Sequence, residues 1–271
     1  MFAAFLLALR EGLEAALVIG ILLGALEKFQ LQSLKRSVWL GVAAAVGGSL
    51  VVGWGLNALG MELEGQAEAA FEGVMMLLAA GLLTWMIFWL HRQGAAIRRE
   101  LEHDVRVETQ RRGAWGLFLV AFTAVGREGI ELAIFLLAAR FAAGALPTWG
   151  GALLGLALAA FVGWVIFTTT YRLNLKRFFQ LSNVLLLLFA AGLVAHAVHE
   201  FNEIGWIPAV VDPLWDIGHL LPESTFIGQV LTALFGYNAN PSLTEVIAYL
   251  MYVVSIGILV LPKPSWRVAR T

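Results

Sequence analysis

Two stretches decide the fold. Residues 6–18 read Leu6-Leu7-Ala8-Leu9-Arg10-Glu11-Gly12-Leu13-Glu14-Ala15-Ala16-Leu17-Val18. Residues 124–136 read Ala124-Val125-Gly126-Arg127-Glu128-Gly129-Ile130-Glu131-Leu132-Ala133-Ile134-Phe135-Leu136. Each sets Arg-Glu-Gly-x-Glu inside an apolar run. At 100° per residue, Arg10, Glu14 and Glu11 project within about a quarter-turn of one helix face, and Gly12 points away, where a small residue lets another helix approach. The second copy has the same geometry.

The surrounding chain says what solvent these helices meet. Of 271 residues, 60% are hydrophobic and 14% charged, with 28 Gly, 10 Trp and no Cys. Soluble domains run about 45–50% apolar and about 25% charged. The mean hydropathy of +0.80 excludes a soluble domain, a disordered chain and a disulfide or Cys-zinc scaffold. A net charge of −1, with no basic face, argues against a nucleic-acid binder. The reading is an all-α polytopic membrane protein, lying in a lipid bilayer as one transmembrane domain over 1–271.

A membrane helix needs about 20 mostly apolar residues. Seven stretches meet this, near 2–26, 38–59, 69–90, 114–139, 149–171, 179–200 and 244–262. The first lacks a basic n-region, and Arg10, Glu11 and Glu14 interrupt it, so it reads as a retained helix and not a signal peptide. Fifteen Lys and Arg fall in alternate loops and the tail, and only Arg140 falls in the others. Basic residues collect on the cytoplasmic side, so the N-terminus is expected outside and the C-terminus inside. Trp39, Trp85, Trp89, Trp115, Trp149 and Trp266 fall near expected helix ends, as interfacial residues do. Loop 92–112, charged with both signs, reads as a solvated cytoplasmic segment. The loop over 201–243 holds Pro208, Pro213, Pro222 and Pro241 and stays apolar; it either dips back toward the membrane or packs as short helices on the outer face.

The motif copies sit in the first and fourth spans, which run in opposite directions. This is the pattern of a 3+3 inverted repeat plus one C-terminal helix: repeat one over about 1–91, repeat two over about 113–200, the outer loop 201–243 and helix seven 244–262. At 1.5 Å per residue Arg10 lies roughly 14 Å into its helix and Arg127 roughly 20 Å, both near the middle of a core about 30 Å thick. Two Arg against four Glu leave two carboxylates in excess. Charge at the bilayer centre costs at least about 2.5–3.5 kcal/mol per residue on insertion scales. Purely structural ion pairs do not need that excess: either some of the Glu are protonated when the site is empty or a cation fills it, and a cation pathway is the favoured reading.

Further acidic and imidazole groups gather toward the outer side. Glu62, Glu64, Glu68 and Glu72 lead into the third span, with Glu68 and Glu72 on one face. His196, His199, Glu200 and Glu203 fall at offsets 0, 3, 4 and 7, a single helical stripe of nitrogen and oxygen donors. Asp212, Asp216, His219 and Glu223 follow. A positive-depleted outer loop accounts for the missing Lys and Arg but not for His and Glu on one stripe, so Glu68, Glu72, His196, His199, Glu200 and Glu203 read as an outer cation funnel. Four carboxylates suit iron, Mn²⁺, Mg²⁺ or Ca²⁺. Without Cys, and with Met75–Met76 an isolated pair, Cu(I) is disfavoured. The residues alone do not separate iron from manganese.

The paired Arg-Glu-Gly-x-Glu motifs resemble those of the oxidase-dependent iron permease family, which includes the fungal high-affinity iron permeases. The opening MFAAFLLALREGLEAALVIG, the segment LLTWMIFWLHR and the late FGYNANPSLTEVIAYLMY are similar to bacterial members, and the likeness runs end to end. It implies iron uptake, as Fe³⁺ or Fe²⁺, across the bacterial inner membrane, with no organic cofactor. It implies that Glu11, Glu14, Glu128 and Glu131 are iron ligands and Arg10 and Arg127 the motif arginines. It further implies extracytoplasmic iron-binding and oxidase or peroxidase partner proteins. The alternatives are a membrane metalloenzyme holding a metal at the outer His/Glu cluster, which would leave the paired motifs unexplained, or a metal sensor signalling through 92–112.

Overall fold

The computed structural model describes residues 1–93, 97–168, 175–222 and 225–260. Among these the regular structure is helical: α1 (Phe2–Lys28), α2 (Lys35–Glu62), α3 (Gln66–Gln93), α4 (Ile97–Arg112), α5 (Ala114–Ala143), α6 (Ala145–Thr168), α7 (Leu175–Glu203), α8 (Phe226–Phe235) and α9 (Leu243–Val260), with a single 3-10 turn before α2. Over the described residues, the seven expected apolar stretches fall on α1, α2, α3, α5, α6, α7 and α9; 169–171 and 261–262 lie outside them. Four segments, Gln32–Glu62, Gln66–Phe88, Ala145–Thr168 and Phe178–Glu203, are long and apolar enough to cross a membrane, and Leu243–Leu259 is a shorter apolar helix. At 27 and 30 residues, α1 and α5 are equally long and carry the motif charges within them. The protein is a multi-pass, all-helical chain. Trp39, Trp85, Trp115 and Trp149 are exposed; the side chain of Trp89, and Trp266 with the rest of 261–271, lie outside the described residues.

The helices pack in pairs: α1 along α6, α2 along α5, α3 along α7, with α1 and α5 meeting between them. Small residues permit the close pairs. On α6, Gly151, Ala152, Gly155, Ala159 and Gly163 are buried, so backbones approach where apolar burial gives no drive within lipid. One apolar cluster joins α3, α5 and α7 to the start of α1 through Leu7, Met76, Leu83, Phe135, Leu186 and Leu193. Another closes the opposite half among α1, α2, α4 and α5 through Leu22, Leu26, Val38, Val105, Leu117 and Val125.

Two segments differ from a plain loop reading. The charged stretch expected as a solvated segment is a helix, α4, because Leu101 and Val105 recur four apart and seal the second cluster, while Lys28 Nζ holds Glu102 at 2.6 Å. The apolar 201–243 segment contains α8, started by Thr225 Oγ1 accepting from Gly228 N at 3.1 Å and stopped by Gly236 at φ 64. Gly236 lies against Gly192: a Cβ on Gly192 would meet its Cα at 2.5 Å. Gly192 is eleven residues inside the end of α7, roughly 17 Å at helical rise. The chain therefore folds back to mid-length on α7 and touches α1 and α5.

Candidate metal-ion site

The packing of α1 on α5 brings the two motifs together. Arg10 Nη1 donates to Glu11 Oε1 at 2.9 Å, and Nη2 lies 3.0 Å from Glu14 Oε1. Arg127 forks onto Glu128 Oε1 through Nε at 3.1 Å and Nη2 at 2.6 Å, and its Nε lies 3.7 Å from Glu131 Oε1. Each arginine thus holds both carboxylates of its own motif, as the helical spacing requires. The copies differ in burial. Arg10 is fully buried, with Met86 of α3 against its Nη1; the Arg127 side chain is 44% exposed.

Carboxylate oxygens of Glu11, Glu128 and Glu131 lie within 4.8 Å of one another, and all three residues are buried. Among the described residues this is the group placed to share one cation. Glu14 stands outside that group, held by Arg10. Glu11 Oε2 and Glu128 Oε2 are buried and make no hydrogen bond. Buried polar atoms are nearly always paired, and a carboxylate left bare costs several kcal/mol in a low dielectric. Oxygens from both motifs, desolvated and converging, can coordinate a hard or borderline cation.

The motif glycines set how close the flanking pairs come. A Cβ on Gly12 would lie 2.6 Å from Ala159 Cβ on α6, and one on Gly129 would lie 2.7 Å from Ser49 Cβ on α2. Gly12 and Gly129 each touch the partner of their own helix. A cavity of about 450 Å³ between these pairs is lined by Glu11, Gly12, Ser49, Glu128, Gly129 and Leu153, among others, and runs to Asn57 and Arg140.

The outer candidates gather where α3 begins and α7 ends. Glu72 lies within Coulomb range of Glu68, Glu200 and Glu203, and of Arg140. His199 bonds Glu245 Oε1 through Nδ1 at 3.0 Å and faces Glu203 Oε1 through Nε2 at 3.6 Å. His196 turns elsewhere, its Nδ1 2.9 Å from Gly192 O, and lines a separate cavity of about 340 Å³ with Tyr237 and Glu245. Asp216 makes a local turn to Gly218 N, and Glu223 lies outside the described residues. Met75 and Met76 are buried in the helix interface.

Two participants were not read from the sequence. Met86 reaches Arg10 only through the packing of α3, and nothing local marks it. Glu245 had a signal: Ser242-Leu243-Thr244-Glu245 opens an apolar run with the S-x-x-E pattern of a capping box. Glu245 N donates to Ser242 Oγ at 3.3 Å, and Glu245 Oε1 accepts from Ser242 N at 3.0 Å.

Fold and site together define a polytopic helical membrane protein with a desolvated carboxylate cluster at the meeting of two motif helices. The model of the Iron permease FTR1 family matches residues 1–269. The chain belongs to that family. It is 35% identical over 273 residues, 99% of each chain, to the ferrous iron permease EfeU of Escherichia coli O6:K15:H31 (strain 536 / UPEC). It is 34% identical over 266 residues, 97% of this chain and 94% of the relative, to the ferrous iron permease EfeU of Yersinia pestis. The same protein of Shigella sonnei (strain Ss046) is 35% identical over 257 residues, 94% of this chain and 93% of that one. No solved structure matches. Family and relatives make the chain an iron permease, a transporter and not an enzyme, and nothing supports the metalloenzyme or sensor alternative.

Proposed function

We propose that this permease imports iron across the inner (plasma) membrane through a midplane site built by its two Arg-Glu-Gly-x-Glu motifs. The observation that carries this reading is the buried triad Glu11, Glu128 and Glu131, whose oxygens lie within 4.8 Å of one another with only one arginine per motif to balance them. Glu14 completes a four-glutamate site by exchanging Arg10 for the ion. Arg10 and Arg127 keep the empty site from flying apart and fix the carboxylates in place, the task of a planar, always-charged fork. Ions gather at the acidic mouth of Glu68, Glu72, Glu200 and Glu203 with His196 and His199, pass to the midplane, and leave inward.

The architecture in this reading is seven spans, N-out and C-in, arranged as a 3+3 inverted repeat plus α9. Support comes from the pairing of helices: exchanging α1 with α5 and α2 with α6 turns the α1–α6 contact into the α5–α2 contact. The motif glycines obey the same exchange, Gly12 against α6 and Gly129 against α2. The relatives' names say ferrous iron; Fe²⁺ is the ion we assign at the site, received from extracytoplasmic iron-binding partners.

Iron uptake into proteoliposomes, measured with Glu11→Gln, Glu14→Gln, Glu128→Gln and Glu131→Gln alongside melting temperature, tests it. Glu→Gln keeps shape, removes one charge and lowers desolvation cost. At least one variant in each motif should lose uptake with its melting temperature unchanged or raised. Stability lost in step with uptake in all four would make the carboxylates structural partners of the arginines.

A further inference from the structure

The midplane triad offers oxygen alone. Carboxylate oxygens take Mg²⁺, Ca²⁺ and Mn²⁺ as readily as they take iron, whereas an imidazole nitrogen favours iron over these three. Selectivity therefore needs a donor that the midplane does not supply, and the end of α7 holds one.

His199 presents its two ring nitrogens to different carboxylates. Glu245, 3% exposed, accepts from Asn238 Nδ2 at Oε2 (2.8 Å) and from Ser242 N at Oε1 (3.0 Å), and Oε1 also meets His199 Nδ1 at 3.0 Å. A carboxylate ringed by donors accepts from each, so Nδ1 points its hydrogen at Glu245 and Nε2 is the outward atom, which gives up its own proton where it ligates an ion. Nε2 faces Glu203 Oε1 at 3.6 Å, too long for a good hydrogen bond and a suitable gap for two ligands to close around an ion. Metal-binding histidines are held in this manner, one N–H on a carboxylate and the other nitrogen toward the metal. The carboxylate is itself fixed from two sides, by the capping box of α9 and by Asn238. Asn202 of α7 locks the assembly by accepting from Ser242 Oγ at 2.9 Å and Thr244 Oγ1 at 3.2 Å.

We propose that discrimination for iron against Mg²⁺, Ca²⁺ and Mn²⁺ is made at the end of α7, by a mixed nitrogen–oxygen station of His199 Nε2 and Glu203, and that Glu245 is the positioning residue that holds the His199 ring by its Nδ1. The proposal rests on the iron-import reading above. The ion meets nitrogen first, where the wrong metals bind weakly, and oxygen second, where the barrier to crossing is met.

The test is uptake of Fe²⁺ by the full chain in proteoliposomes, under reducing conditions, against an excess of Mg²⁺, Ca²⁺ or Mn²⁺. His199→Asp keeps an oxygen donor and should let Mn²⁺ compete where it does not in the unaltered protein. Glu245→Gln keeps shape but loses the fixed acceptor; it should raise the KM for iron roughly 10-fold or more, the usual cost of a lost outer partner of a metal ligand, with the maximal rate kept. If the unaltered protein accumulates no iron, the transport reading falls and this one with it. If it accumulates iron while His199→Asp keeps the unaltered competition profile, the selectivity station alone is overturned; that variant leaves the cap intact and decides the matter even where Glu245→Gln fails to fold. Lost stability in Glu245→Gln with KM unchanged would make Glu245 a helix cap only.

Discussion

Arg10 and Arg127 share a motif but not an environment, and the difference has consequences. Arg10 is fully buried between Glu11, Glu14 and Met86, while the Arg127 side chain is 44% exposed. Lysine keeps the charge but loses the fork that spans two carboxylates. Arg10→Lys should lower the melting temperature more than Arg127→Lys, because Arg10 is enclosed by protein on every side and a lost partner cannot be replaced there; equal shifts in a thermal scan would contradict this. Both variants should reach the membrane and transport poorly, and normal uptake would mean that only the charge matters. A full Arg10→Ala break strands Glu11 and should cost on the order of 3–5 kcal/mol. The motif residues were legible because helical periodicity alone puts Arg10, Glu11 and Glu14 on one face. The separation of Glu14 from the Glu11–Glu128–Glu131 group was not, since it depends on rotamers chosen against a second helix. Met86 was hidden for the same reason: its contact is set by how α3 lies on α1.

Among the helices, the sharpest contrast is between two glycines of α1. A Cβ on Gly12 would lie 2.6 Å from Ala159 Cβ, whereas one on Gly24 meets nothing within 4 Å. Gly12→Ala should therefore cost about 1–3 kcal/mol by overpacking the α1–α6 contact, and Gly24→Ala should be neutral or stabilising through helix propensity. Thermal unfolding in detergent reads both; a harmless Gly12→Ala would show that the motif glycine is kept for something other than close packing. Ser242→Ala should cost about 1 kcal/mol as a lost cap. The long helices were legible from apolar runs of about 20 residues. Short α4 and α8 were not, because neither run is long enough to stand out: α4 is mostly charged, with Val105 buried and Leu101 partly so, and α8 is ten residues whose place is fixed by Gly236 against Gly192. Glu245 was available as the fourth residue of a capping box, and its link to His199 emerges only when α9 lies beside α7.

For the molecule as a whole, the absence of cysteine makes the orientation directly measurable. A single cysteine at Gly65, between α2 and α3, should react with an impermeant thiol reagent added outside intact cells. One at Gln30 or Arg106 should react only after permeabilisation, and the reverse pattern would invert the topology. Given that orientation, the pairing of α1 with α6 and α2 with α5 frames one site at the centre of the bundle. Iron occupancy there is the central claim. Crystals of the protein soaked in Fe²⁺ under reducing conditions, with anomalous diffraction recorded at the iron edge, test it most directly. The account predicts a peak within coordination distance of oxygens of Glu11, Glu128 and Glu131, lost in Glu128→Gln; a central site without iron, or a peak that persists unchanged in that variant, would contradict it.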